Sequence, residues 1–362
     1  MSEPPAPAAK DGAGRRGTGR SRSGAEAERA FQWYTPAGRR PTLYEDVTID
    51  TQPSVKRHMD RGWLVNFEDG RGTWWEDSTR LRCGDWYDFR DPGMEWERPY
   101  YQKGSAAEHQ IEAAVQSARE DRLFEDFSPE WVDFLRRNLQ IPAFVEHGLW
   151  LATAVTARDC LSDSIAHCLV IEAAMKQRQA QALVLYGMDL EGELGGFEME
   201  AAKSGFLEEE AWQPLRRCLE RLATVTDWGE IIVAANACLE PLVGVMLRRE
   251  LLLRSAPANG DVVTPTLMGA AQHEWDWVRE WTVELIRFVT ADEEHGRANR
   301  ELVSAWLEDW LGEAREAAQA LEPVFDQLPA GIAFEPALKN AERDLEDLLE
   351  RSGVTEPREV TR

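Results

Sequence analysis

The run Asp292-Glu293-Glu294-His295 sets three carboxylates beside an imidazole, just ahead of an apolar-patterned segment, and such a donor set could hold a metal ion. A carboxylate-bridged di-iron bundle asks for more. It needs a Glu from each of two helices and a Glu-x-x-His from each of two others, because residues three apart share a helix face and can reach one metal. The residue three before each histidine is Val55 for His58, Ala106 for His109, Phe144 for His147, Ser164 for His167, Ala270 for His273 and Asp292 for His295. No Glu-x-x-His exists, and HExxH is absent as well. The chain cannot build the standard site, so neither catalytic nor metal-ligating residues are assigned to it. The Asp292–His295 run is better read as the lip of the helix beginning near 297, where negative charge complements the helix dipole.

A second constellation has the layout of a site without its ligands. Glu146 lies in "FVEHGLWLATAV", Glu172 in "LVIEAAMKQ", Glu240 in "ACLEPLVGV", and Ala270-x-x-His273 opens a later helix. The intervals from 146 to 172, 240 and 270 are 26, 68 and 30 residues, or helix pair, long connection, helix pair. Met175 stands where the second position requires a histidine, and Ala270 where the fourth requires a glutamate. Glu146, Glu172, Met175, Glu240 and His273 are therefore candidate vestigial ligand positions, although each taken singly is also an ordinary buried or half-buried residue.

These positions require long helices, and the pattern supplies them. "SPEWVDFLRRNL" opens with Ser128 as N-cap and Pro129 at the first helical position. Helical segments follow over about 159–189, 227–254 (with Pro241 as a kink or local irregularity), 264–290 after the "NGD" turn, one carrying Leu302, Val303, Trp306, Leu307 and Trp310 on one face, and about 334–351. The expected fold class is mainly α, a ferritin-like helical bundle over 104–325, with a charged C-terminal helix and tail over 326–362. Residues 1–29, rich in Ala, Gly, Pro, Arg and Ser, are expected to be a disordered tail. Residues 30–103 lack helical periodicity but are dense in aromatic residues among Gly, Asp and Arg, which suits a long irregular arm draped over a surface. That surface is either the chain's own bundle or a partner subunit. Trp63, Trp74, Trp75, Trp86 and Trp96 are the candidate partner contacts.

With 65 acids against 41 bases the net charge is −24, which disfavours nucleic acid and suits a basic partner. The apolar runs are all broken by charge before membrane-span length, and no secretory signal is present, so a cytoplasmic protein is expected. Five scattered cysteines with no CxxC pair read as packed free thiols.

The phrases "FQWYTPAGRRPTLYEDVTIDTQPSVKRHMDRGW", "DWYDFRDPGMEWERPYYQ", "VEHGLW", "NGDVVTPT" and "DEEHGRANRELVSAWLEDW" together resemble the hydroxylase β (small) subunits of soluble di-iron multicomponent monooxygenases, over about 31–325. The propane monooxygenase type is the nearest in kind. The resemblance implies a non-catalytic, structural subunit with the ferritin-like fold and no iron. It implies a partner hydroxylase α (large) subunit holding the di-iron centre that activates O2 to hydroxylate a small hydrocarbon, an expected α2β2 assembly, an NADH reductase and a small coupling (regulatory) protein. Two other readings compete: a self-contained metal-binding oxidase, and a helical regulatory or interaction protein.

Overall fold

The computed structural model describes residues 34–49, 76–160 and 162–355. Trp63, Trp74, Trp75 and the tail over 1–29 lie outside the described residues. Among the described residues there is no strand. The principal helices are α1 (Leu43–Thr48), α2 (Glu97–Glu120), α3 (Pro129–Asn138), α4 (Ile141–Ala157), α5 (Asp163–Leu194), α6 (Met199–Glu208) and α7 (Gln213–Leu222). Then come α8, which begins as Trp228–Ile232 and continues over Val233–Gly244 and Met246–Leu253, α9 (Thr264–Ala291), α10 (Gly296–Gln319), α11 (Glu322–Phe325) and α12 (Phe334–Arg351).

The α4–α5 pair packs along itself, α10 and α12 flank α8, and α9 closes against α8, α10 and α5. Helix α8 is the axis of the bundle. Almost every residue from Trp228 to Leu252 is buried, including Glu240 and Glu250. By length and composition 228–259 could cross a membrane, so Glu240 does not break the run as the sequence suggested. In the fold, however, 94% of its most apolar window is buried inside the protein, the mark of a core helix. From Val233 onward α8 is wound as a π-helix, with N–H groups reaching five residues back, as Arg254 does to the Arg249 carbonyl at 3.0 Å. Pro241, which has no N–H to give, sits within this widened winding.

The aromatic segment is more ordered than its pattern suggested. Thr42 and Glu45 form a capping box that starts α1. Buried Glu45 also accepts from the Ala37 amide and from Arg90 Nε, at 2.9 and 3.0 Å. Helix α2 starts at Glu97, several residues before the expected boundary at 104, and Pro99 falls in its first turn, where its missing N–H costs nothing. Residues 76–96 are stitched to the bundle. Asn299 receives the Arg82 amide at 3.0 Å and donates to the Arg82 carbonyl at 2.7 Å. Asp91 takes the amides of Gly93 and Glu95 and the Trp277 indole at 2.8, 2.7 and 3.0 Å. For this stretch the arm packs on its own helical domain.

Candidate functional site

The chemistry at 292–295 is local. Asp292 accepts the amides of Glu294 and His295, at 3.0 and 2.7 Å, and so closes the loop that starts α10. Its other oxygen takes the Gly84 amide at 2.8 Å, tying down the aromatic segment. These backbone donors, Gly84 first, hold its carboxyl below the usual carboxylate range. The run is a helix lip with a docking role.

The candidate site lies instead in the middle of the bundle, where Glu146 (α4), Glu172 (α5) and Glu240 (α8) converge, all buried. Two cations the sequence pattern did not single out lie among them. Lys176, one helical turn after Glu172, meets Glu146 at 3.0 Å and also Glu240. Arg248, two four-residue steps after Glu240, meets Glu240 at 2.7 Å and Glu146 at 3.3 Å. Midway between them, a Cβ at Gly244 would fall 2.2 Å from a Glu240 oxygen and 3.0 Å from Arg248 Nη1. The bare glycine is what lets that ion pair lie against the helix. Asn236 donates to Glu172 at 3.0 Å and to Thr282 of α9 at 3.2 Å.

Burial dominates the electrostatics, and the partners then decide its outcome. Burial alone would drive Lys176 and Arg248 towards neutrality, but the flanking acids Glu240 and Glu146 outweigh it and raise both. Burial would raise Glu240 as well, yet Arg248 and Lys176 together hold it far below the ordinary glutamate range. Glu172 lacks a direct ion pair, and burial pushes it up to about 7.

Of the positions proposed as vestigial ligands, the structure brings Glu146, Glu172 and Glu240 together. Met175 is buried, but the side chain that reaches the acids is its neighbour Lys176. His273 is a correction: it is exposed, because the helix turns about 100° per residue and it is the next residue, Glu274, that faces inward to Arg178 and Gln179. Among the described residues no imidazole therefore joins the cluster, and Glu146 and Glu240 already spend their oxygens on two cations. Such a donor set does not suit a dinuclear metal, which needs those oxygens itself. The legible signal was a lysine and an arginine at the ends of apolar runs, four residues after Glu172 and eight after Glu240.

Trp86 packs edge-on against Trp228 with centroids 5.3 Å apart, and lies 6.4 Å from Phe288, so its ring is engaged by the chain's own bundle. Trp96 is half-buried and lines an open surface depression with Arg98, Tyr101 and Gln102. A larger apolar surface faces outward from α4 and α5. Leu151, Val155 and Val170 are exposed there, as are Leu185 (60%) and Met188 (64%). Phe144, His147, Trp150 and Val184 line a groove beside them, and among the described residues no acid, lysine or arginine lines it.

The methane/phenol/alkene hydroxylase family model matches residues 63–293. The chain is 37% identical over 335 residues to the hydroxylase component small subunit of propane 2-monooxygenase from Rhodococcus jostii (strain RHA1), covering 92% of this chain and 91% of that one. It is 30% identical to the methane monooxygenase component A beta chain from Methylococcus capsulatus (strain Bath), over 82% and 79% of the two chains. The solved phenol hydroxylase from Pseudomonas sp. OX1 superposes with a TM-score of 0.75 at 19% identity, over 88% of this chain and 92% of that one, and so shares the fold. The chain thus belongs to the methane/phenol/alkene hydroxylase family, among its hydroxylase small (beta) subunits.

Proposed function

We propose that this chain is the non-catalytic small subunit of the hydroxylase component of a soluble di-iron monooxygenase, one that hydroxylates a small hydrocarbon such as propane with O2 and electrons from NADH. The observation that carries this reading is the central cluster. Where a ferritin-like bundle would gather its metal ligands, Lys176 and Arg248 are paired with Glu146 and Glu240. A centre filled by its own ion pairs has no place for iron, so the di-iron centre belongs in a partner large subunit. The propane and methane monooxygenase relatives support the substrate class and the small-subunit role. On this reading the assembly is α2β2, a coupling protein and an NADH reductase complete the system, and the whole is cytoplasmic. The test is metal content with mass by size exclusion, on this chain alone and after co-expression with its large partner. An iron-free chain that joins an iron-loaded assembly is expected. Near-stoichiometric iron on the chain alone would restore the reading of a metal-binding oxidase.

The uncharged, apolar α4–α5 face suits docking of such a partner better than docking of a second acidic copy. The aromatic segment adds to it, with Trp63, Trp74, Trp75 and Trp96 as candidate anchors and Trp86 as the residue that fixes the segment to the bundle. Introducing Leu185→Glu with Met188→Glu should leave the helical circular dichroism unchanged, because both side chains are exposed. It should weaken co-purification with the large subunit by at least about tenfold, as expected for charges forced into an apolar contact. Unchanged co-purification would remove this face from the interface.

A further inference from the structure

We propose that the centre of the bundle holds a bound proton, carried on Glu172, and that this proton completes the charge balance of the cluster. Three carboxylates (Glu146, Glu172 and Glu240) converge on two cations (Lys176 and Arg248), and all five side chains are buried. Glu146 and Glu240 each touch both cations, so two negative and two positive charges cancel. An ionised Glu172 would be the uncancelled charge, and burying such a charge is far more costly than burying a neutral acid. Among the described residues the next shell does not cancel it. Glu274 of α9 has its own cation, Arg178. Asn236, which faces Glu172 from α8, and Thr282 of α9, which accepts from the same Asn236 amide, are uncharged. On its own helix Cys168 is a buried thiol, and Asp91 and Tyr44 lie beyond it.

Hydrogen bonding points the same way. Glu172 Oε2 accepts from Asn236, whereas Glu172 Oε1 is a buried acceptor with no donor, and so is Asn236 Oδ1. A proton on Oε1 supplies a donor where two acceptors lack one. Burial is the larger influence on this carboxyl and raises it to about 7, against the pull of Lys176 and of the Asn236 hydrogen bond. A glutamate whose folded value is raised binds the proton in the folded state before it does so unfolded. Its stabilising contribution is full below the unfolded value near 4.5 and is lost as pH rises through about 7.

The test uses Glu172→Gln, which keeps the neutral shape without the titration, in the full-length protein as it purifies with its large subunit. Infrared difference spectra, wild type minus variant, should show a protonated-carboxyl band below about pH 6 that disappears with a midpoint near 7. Subtraction matters because burial also raises Asp91 and Glu274. The folding equilibrium of the wild type should fall, relative to the variant, by a factor on the order of 100 between about pH 4.5 and pH 7. A variant that does not assemble, a difference spectrum without the band, or parallel pH–stability curves would each overturn the proposal.

Discussion

Replacing Lys176 by methionine should destabilise the chain by about 3–5 kcal/mol, because the substitution leaves buried carboxylates without the cation that joins them. Methionine keeps most of the aliphatic stem, so packing alone would cost little. What is lost is the 3.0 Å contact to Glu146 and the contact to Glu240, with Arg248 left to face both acids and Glu172 beside them. Two further outcomes separate this from simple misfolding. The loss should shrink as pH falls, since the acids can then be carried neutral; removing a positive partner raises their affinity for protons. Adding Glu146→Gln to Lys176→Met should recover a substantial part of the loss, because Glu240 and Arg248 remain a balanced pair at 2.7 Å. Chemical denaturation of the two variants against pH measures all three effects. A pH-independent loss of less than about 1 kcal/mol would mean that the ion pairs are incidental to the fold.

That experiment also marks what the sequence could and could not tell. The long helices were legible because their ends carry physical signals: Ser128 and Pro129 start α3, and the "NGD" turn stops one run before Thr264 starts the next. The aromatic segment was not, since a six-residue helix such as α1 has too few turns to show a period and is defined by its capping box. Glu146, Glu172 and Glu240 were found because the intervals between helices fix which residues can meet. Lys176 and Arg248 were not legible as partners, because a metal pattern looks for an imidazole three residues from an acid, whereas Glu146 and Glu240 are met by a lysine from another helix and by an arginine eight residues beyond Glu240. His273 was misplaced by a single residue of helix phase, the smallest error a periodic pattern allows and enough to turn a side chain from the core to solvent.

Asp261 should be nearly as sensitive a position as Lys176, although no chemistry is assigned to it. It is fully buried at the junction of α8, α3 and α9 and spends both oxygens. One takes the amides of Val263 and Thr264 at 3.0 and 2.9 Å, satisfying first-turn donors of α9. The other takes the Trp131 indole at 2.9 Å and the Thr264 hydroxyl at 2.6 Å. Gly260 before it adopts φ +80, and any Cβ there would lie 2.2 Å from the Asp126 carbonyl oxygen, so only glycine makes this turn without strain. Asn259 receives the Ser128 amide at the start of α3. Asp261→Ala leaves the indole N–H of a completely buried tryptophan and two backbone amides without partners, and should cost roughly 4 kcal/mol. Asp261→Asn keeps one carbonyl oxygen and should cost about half of that, which distinguishes lost hydrogen bonding from a disturbed backbone. Because α9 carries Glu274 and Thr282 towards the central cluster, the alanine variant should also raise amide hydrogen exchange along the start of α9, while α7, which packs on α4, α6 and α10, keeps its protection. Equal exchange in both helices would mean that the turn stabilises the bundle globally and does not set the position of α9.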